Sequence, residues 1–246
     1  MLKKRLGAVV FVKDGLVVQS IGFKKYLPIG KPETIVKNLD NWGADEIILL
    51  NVDSNNLDKP NLKMIENVTN LNIRTPLIYG GGIKKVEDAV NCIKLGSDRV
   101  VINQLYLNDV SIISKISEII GKESLVLSLN VILQKKKFFI YNYLNKKIKE
   151  LNIEQLNHIY KNYISEVFIT DYFNEGKKNS FDFNLIKNSL FKDKKLLVYG
   201  GINQTNQFRR LFRYKNVSSV VLGNCLNYKE SSIFGIKKEC KYGFRK

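Results

Sequence analysis

The sequence predicts an α/β protein, a (β/α)8 TIM barrel built from two half-barrel repeats. Three observations predict it. Eight short apolar runs rich in Val, Ile and Leu alternate with helix-period segments, as buried parallel strands and their crossovers do. Leu77-Ile78-Tyr79-Gly80-Gly81-Gly82-Ile83 is nearly copied by Leu197-Val198-Tyr199-Gly200-Gly201-Ile202, with the two tyrosines 120 residues apart. Arg99-Val100-Val101-Ile102-Asn103 is echoed in turn by Ser219-Val220-Val221-Leu222-Gly223-Asn224. A length of 246 residues is that of one such barrel, so the repeat reads as two halves of a single domain spanning 1–246.

Strands are expected over 6–12, 46–52, 76–80, 99–103, 124–131, 166–171, 195–200 and 218–223. Helices are expected over 32–42, 86–95, 110–120, 153–163, 183–188 and 205–214. Gly43 and Gly96 stand where C-caps belong, and Gly121 ends a third helix. An extra strand over 138–143 should fold back on the end of the fifth strand through a turn at Lys135 to Lys137. Strands that end in Gly-Gly let ligand oxygens approach bare backbone N–H groups, and a following helix N-terminus favours negative charge. Gly81, Gly82, Gly200 and Gly201 are therefore candidate phosphate-binding positions, or glycines kept for tight strand-to-helix turns.

Composition narrows the function. The formal charge of +17 could attract nucleic acid, an acidic protein or a phosphorylated ligand. The lysines are spread along the chain among many asparagines and form no nucleic-acid-binding motif, so nucleic acid is not the expected partner. No stretch approaches 18 consecutive apolar residues, and the first apolar run ends at Lys13-Asp14-Gly15. That run is too short and too β-branched for a signal peptide, so no membrane association and a cytoplasmic location are expected. Cys92, Cys225 and Cys240 lack metal-ligand spacing and read as reduced thiols, two of them packed. His158 is the single histidine, which excludes His-based triads and metal sites. No metal and no cofactor are expected.

Met1-Leu2-Lys3-Lys4-Arg5, Val12-Lys13-Asp14-Gly15, Gly80-Gly81-Gly82-Ile83, Gly96-Ser97-Asp98-Arg99-Val100 and Ile102-Asn103 resemble one family over essentially the whole chain. It is that of the cyclase subunit of imidazole glycerol phosphate synthase (HisF), a lyase of histidine biosynthesis. The resemblance implies a glutaminase (HisH-like) docked on the barrel bottom. Its ammonia would pass through the barrel to a biphosphorylated substrate on the top face.

The family's two catalytic aspartates, at the ends of strands one and five, correspond to Phe11 and Asn130. A third family aspartate corresponds to Asn51, and the lysine of the loop after strand one to Gln19. Ring closure needs a proton donor and a proton acceptor, and neither phenylalanine nor an amide serves near neutral pH. The family's ring of alternating charges at the ammonia entrance, by contrast, is matched by Arg5, Glu46, Arg99 and Glu166, with arginine replacing a lysine at 99. Asp98 matches a residue facing the glutaminase. The implied phosphate sites are kept in part: Gly81, Gly82 and Asn103 for one, Gly200, Gly201, Gly223 and Asn224 for the other. Glu175-Gly176-Lys177 stands where the family has Asp-Gly-Thr. There Gly176 keeps the turn and Lys177 offers only a point charge to a phosphate.

Gly22-Phe23-Lys24-Lys25-Tyr26-Leu27-Pro28-Ile29-Gly30-Lys31-Pro32 and the segment from Asn41 to Leu50 resemble a diverged branch of the family. That branch is associated with acetamidino modification of surface sugars in lipopolysaccharide or flagellar glycans. The resemblance implies a separate N-acetyl sugar amidotransferase on the top face, with Phe23 to Tyr26 as a docking loop. The expected function is an ammonia-conducting subunit without cyclase activity. An exit without acids also avoids trapping ammonia as ammonium. The alternatives are a true cyclase with acids rearranged to Asp14, Asp53 or Asp171, and a scaffold or phosphate-ligand-binding barrel.

Overall fold

The computed structural model describes residues 4–53, 58–143, 145–228 and 232–240. Twelve strands form among the described residues: β1 (Arg5–Lys13), β2 (Leu16–Ile21), β3 (Lys25–Gly30), β4 (Glu46–Asn51), β5 (Leu77–Gly80), β6 (Arg99–Ile102), β7 (Leu125–Gln134), β8 (Lys137–Asn142), β9 (Lys147–Glu150), β10 (Glu166–Asp171), β11 (Leu196–Tyr199) and β12 (Val217–Leu222). Eight of them, β1, β4, β5, β6, β7, β10, β11 and β12, pair in parallel in that order, and β12 closes on β1. The (β/α)8 barrel is thus complete, with all eight predicted strands in it. No helix among the described residues is long and apolar enough to cross a membrane.

The helices are α1 (Pro32–Asn41), α2 (Leu62–Thr69), α3 (Val86–Lys94), α4 (Gln104–Asn108), α5 (Val110–Ile120), α6 (Ile153–Asn162), α7 (Asn184–Lys187), α8 (Thr205–Leu211) and α9 (Ser232–Glu239). Their apolar stripes pack on the outer faces of the strands. Leu6, Ala8, Val10, Ile47, Leu49, Leu127 and Ile169 supply the strand side of that outer core. The alternate residues Val9, Phe11, Ile48, Ile78, Val101, Val126, Phe168, Leu197, Tyr199 and Val221 fill the lumen. Period-two alternation therefore divides each strand between two separate cores.

Two antiparallel hairpins rise from the barrel at equivalent places in the two halves. β7 continues into β8 through Lys135 and Lys136, as predicted, and β9 extends that ribbon. β1 continues into β2 through Asp14 and Gly15, and β2 pairs with β3. In both turns the two central residues have positive φ, 51° and 77° in the first, 47° and 66° in the second. That is the two-residue geometry favoured by strand twist. The segment from Phe23 to Tyr26 is thus the tip and return strand of a hairpin within the connection between β1 and α1. Gln19 lies on β2 of the same connection, paired with Leu27.

The repeat also needs a correction of register. Tyr79 lies in the outer core and its hydroxyl accepts from Asn61 N at 2.9 Å. Tyr199 lies in the lumen. The first motif carries one more glycine than the second, so Gly80 is the inward residue that answers to Tyr199. Aligning the tyrosines superimposes two residues on opposite faces of the sheet.

Candidate functional site at the two mouths of the barrel

The four charged residues predicted to line one entrance meet at the N-terminal mouth. Each occupies the first inward-facing position of its strand. Arg5 Nη2 donates to both Glu166 oxygens, at 2.7 and 2.8 Å, and Arg5 Nε lies 3.2 Å from Glu46 Oε2. Arg99 Nη1 is 2.7 Å from Glu166 Oε2 and 4.0 Å from Glu46 Oε2. Ser218 Oγ donates to Glu166 Oε1 at 2.6 Å, and Arg99 Nη2 donates to Ser165 Oγ at 3.2 Å. The result is a two-plus, two-minus ring closed across the barrel axis.

The two carboxylates differ electrostatically. Burial raises Glu46 above the usual carboxylate range, and the opposing attraction of Arg5 is insufficient to reverse it. Burial also pushes Glu166 upward, but Arg5 and then Arg99, with hydrogen bonds from Ser218 and Arg5, pull it below that range. Glu166 is the hub. Arg99 Nε makes no hydrogen bond among the described residues, which leaves the ring a spare donor.

Gly7 is a member of this site that sequence reasoning passed over. A Cβ at this position would lie 3.1 Å from Glu46 Cγ, 3.2 Å from its Oε1 and 3.3 Å from Ser219 Oγ. Gly7→Ala should therefore crowd the ring and destabilise by about 1–3 kcal/mol. Thermal unfolding should show this as a melting-temperature fall of roughly 3–10 °C. Asp98 stays exposed on the same end and its Oδ2 accepts from Leu77 N at 2.7 Å, so it ties β6 to β5. Asp45 does the same for β1, accepting from Leu6 N at 2.7 Å.

The C-terminal mouth carries the positions that the resemblance matches to the family's acids. Phe11 points into the lumen, 3% exposed, with its ring 5.8 Å from Tyr199 and 5.7 Å from Phe23. Asn130 is half-buried at the same level of β7, in register with Thr170. Asn51 turns away from the axis, and its Oδ1 accepts from Asp53 N at 3.2 Å. The acids offered as replacements are not gathered at the axis. Asp14 sits exposed at a hairpin turn and pairs with Lys13 at 2.6 Å. Asp53 is buried beside Asn51. Asp171 is outward-facing and accepts from Asn174 Nδ2 and Asp182 N, both at 2.8 Å, so it anchors its own loop.

The acid that does reach the mouth is Glu175, 1% exposed. Its Oε1 accepts from Tyr199 Oη at 2.9 Å, and its Oε2 from Phe23 N at 3.0 Å and Ser20 Oγ at 3.2 Å. Burial holds its carboxyl above the ordinary range despite these donors. The sequence signal was its place in Glu175-Gly176-Lys177, where the resemblance puts the aspartate of Asp-Gly-Thr.

The glycines expected to cradle phosphates have tightly packed neighbours. A Cβ on Gly200 would come 2.8 Å from Asp171 O, and one on Gly201 2.5 Å from Ser180 Oγ. Gly81 and Gly82 repeat this against Asn51 O and Lys59 O. Gly223 makes room for the Tyr199 hydroxyl, 3.0 Å from where its Cβ would stand. The amide of Asn103 donates to Ser128 O at 2.7 Å, and that of Asn224 to Ser20 O at 2.5 Å. Lys177 is exposed. Close approach of neighbouring backbone thus requires glycine at these positions.

Comparison with known proteins agrees with this architecture. A protein from Vibrio vulnificus, provisionally named imidazole glycerol phosphate synthase subunit hisF2, is 28% identical over 98% of this chain and 89% of its own length. A Campylobacter jejuni protein under the same provisional name is 31% identical over 83% of this chain and 82% of its own. The imidazole glycerol phosphate synthase subunit HisF of Pyrococcus furiosus is 27% identical over 96% of this chain and 95% of its own. The family model described as histidine biosynthesis protein matches residues 5–232. With its closed parallel barrel and this match across nearly its whole length, the chain belongs to the histidine biosynthesis protein family.

Proposed function

We propose that this barrel conducts ammonia from a partner glutaminase at its N-terminal mouth to an acceptor enzyme at its C-terminal mouth, and that it does not itself close an imidazole ring. The observation that carries the reading is the contrast between the two mouths. The charged ring of Arg5, Glu46, Arg99 and Glu166 is assembled and hydrogen-bonded, while the opposite end presents a phenylalanine and an amide where ring closure needs acid and base. Between them the lumen is lined largely by aliphatic and aromatic side chains, which have no acidic group to protonate ammonia.

Glutamine hydrolysis belongs to the partner, because this chain has one histidine and offers no Cys-His pair of the usual kind. The resemblance of 22–32 and 41–50 to the sugar-modifying branch supports an N-acetyl sugar amidotransferase as the consumer of ammonia. Leu27 and Ile29 are exposed on the hairpin of that face, beside Lys24 and Lys25. Since Asn103 and Asn224 are engaged within the protein, the reading does not depend on a phosphorylated ligand.

The names of the relatives favour a second reading, a cyclase subunit working with rearranged acids. An ammonia-dependent cyclase assay separates the two. The purified chain, given excess ammonium salt at mildly alkaline pH and the ribulosyl-formimino substrate, should show no turnover while a true cyclase does. Turnover comparable to that control would sink the conduit reading. Because ammonia is supplied directly, the outcome is independent of the glutaminase.

A further inference from the structure

Aromatic rings cross the upper mouth, which a conduit must reconcile with delivery. Phe23, at the tip of the β2–β3 hairpin, sets its ring edge-on to Phe11 at 5.7 Å and stacks on Tyr172 at 5.9 Å. Tyr172 stacks in turn on Tyr141 of β8 at 4.3 Å. An aromatic bridge therefore spans the mouth from one hairpin to the other.

We propose that the β2–β3 hairpin is a latched plug on the ammonia exit, that Glu175 is the latch, and that an acidic surface of the acceptor protein opens it. The proposal rests on the conduit reading for its purpose, and on three observations for its mechanics. Three hydrogen bonds of the tip converge on one residue. Glu175 accepts from Phe23 N and Ser20 Oγ through its carboxylate, and from Gly22 N at 3.2 Å through its backbone carbonyl. The neighbouring Gly176 fits into the crook of the hairpin, where a Cβ would stand 2.7 Å from Ile21 Cα and 2.9 Å from Ser20 O.

Phe23 is also strained. Its φ of +53° is left-handed, a conformation costly for an aromatic residue. Strain of this kind persists only where surrounding contacts impose it, and it favours release when they are removed. The third observation is attachment. β3 pairs with β2 alone, and β2 pairs with β1 through three residue pairs close to the Asp14-Gly15 turn. An outlying ribbon with few pairings opens at lower free energy than the barrel. The exposed Lys24, Lys25, Lys177 and Lys178 stand beside the tip and its latch, and their charge selects an acidic partner surface.

Hydrogen exchange read by mass spectrometry tests the latch on the purified full chain. In Glu175→Ala, amides of the tip from Ser20 to Tyr26 should exchange about tenfold faster, with β4 and β11 unchanged. Glu175→Gln keeps the side-chain shape and part of its accepting capacity, so it should fall between the two. It carries the same comparison should the alanine variant not fold. Unchanged tip exchange in both variants would overturn the proposal. So would acceleration that spreads equally to β4 and β11, since Glu175 would then be holding the barrel. A second measurement addresses purpose. Phe23→Asn removes the ring and suits a left-handed backbone. In a complex reconstituted with the glutaminase and the acceptor enzyme, it should lose to bulk solvent a larger share of the ammonia produced per glutamine hydrolysed than wild type. A faster tip in Glu175→Ala with no such leak would overturn the plug's role in transfer while leaving the latch standing. Cyclase turnover in the preceding assay would instead remove the conduit reading itself.

Discussion

Glu166→Gln is expected to destabilise the protein by about 3–5 kcal/mol, and Glu46→Gln by only about 1–2 kcal/mol, although both lie in one ring. Glu166 receives Arg5 in a bidentate pair, Arg99 at 2.7 Å and the Ser218 hydroxyl. Its amide replacement leaves two guanidinium groups, both largely buried, facing a single remaining carboxylate. Glu46 meets Arg5 at 3.2 Å and Arg99 only at 4.0 Å, and burial already disfavours its charge.

The two variants should also differ in sign of pH dependence. The folded-state pKa of Glu166 lies below its ordinary 4.5, so its stabilisation is present above about pH 4.5 and is lost as pH falls through the folded value. The penalty of Glu166→Gln should therefore grow as pH rises toward 4.5. Glu46 lies above its ordinary 4.5, so the wild type loses stability as pH rises from there through the folded value. The penalty of Glu46→Gln should shrink over that interval. Urea denaturation of the three proteins at several pH values measures both slopes. Equal penalties with parallel pH profiles would show that Glu166 is not the hub.

Phe11→Asp should not restore ring closure and should cost about 4–6 kcal/mol, the sum of a vacated aromatic site and a buried carboxyl without a built partner. The ring fills the lumen between Tyr199 and Phe23, and it is 3% exposed. An aspartate there would stand near Glu175, the acid already bound by the Tyr199 hydroxyl, and like charges disfavour ionisation of both. Asn130 would still supply no acid on the opposite strand. Calorimetry should record a melting-temperature fall of roughly 10–20 °C. Ammonia-dependent cyclase turnover from the single variant, at any stability, would mean that one carboxylate suffices and that the site is closer to a working cyclase than its packing implies.

The sequence by itself determined the barrel. Eight β-branched runs separated by helical segments allow few other solutions, and the family resemblance, applied to residues that each open a strand, assigned Arg5, Glu46, Arg99 and Glu166 to one mouth. It also held the second hairpin, through Lys135 and Lys136, and it contained the Asp14-Gly15 turn of the first, a strong hairpin signal. Alternation, however, says that neighbours face opposite ways without saying which one faces in. Tyr79 and Tyr199 look equivalent as letters, yet one extra glycine turns them to opposite sides of the sheet. The position of Glu175 under a hairpin some 150 residues earlier, and the packing of the glycine loops against preceding strand ends, depend on contacts that no local pattern encodes. Tertiary structure decided these, because a side chain's environment is set by what closes over it, and here the covering segments come from distant parts of the chain.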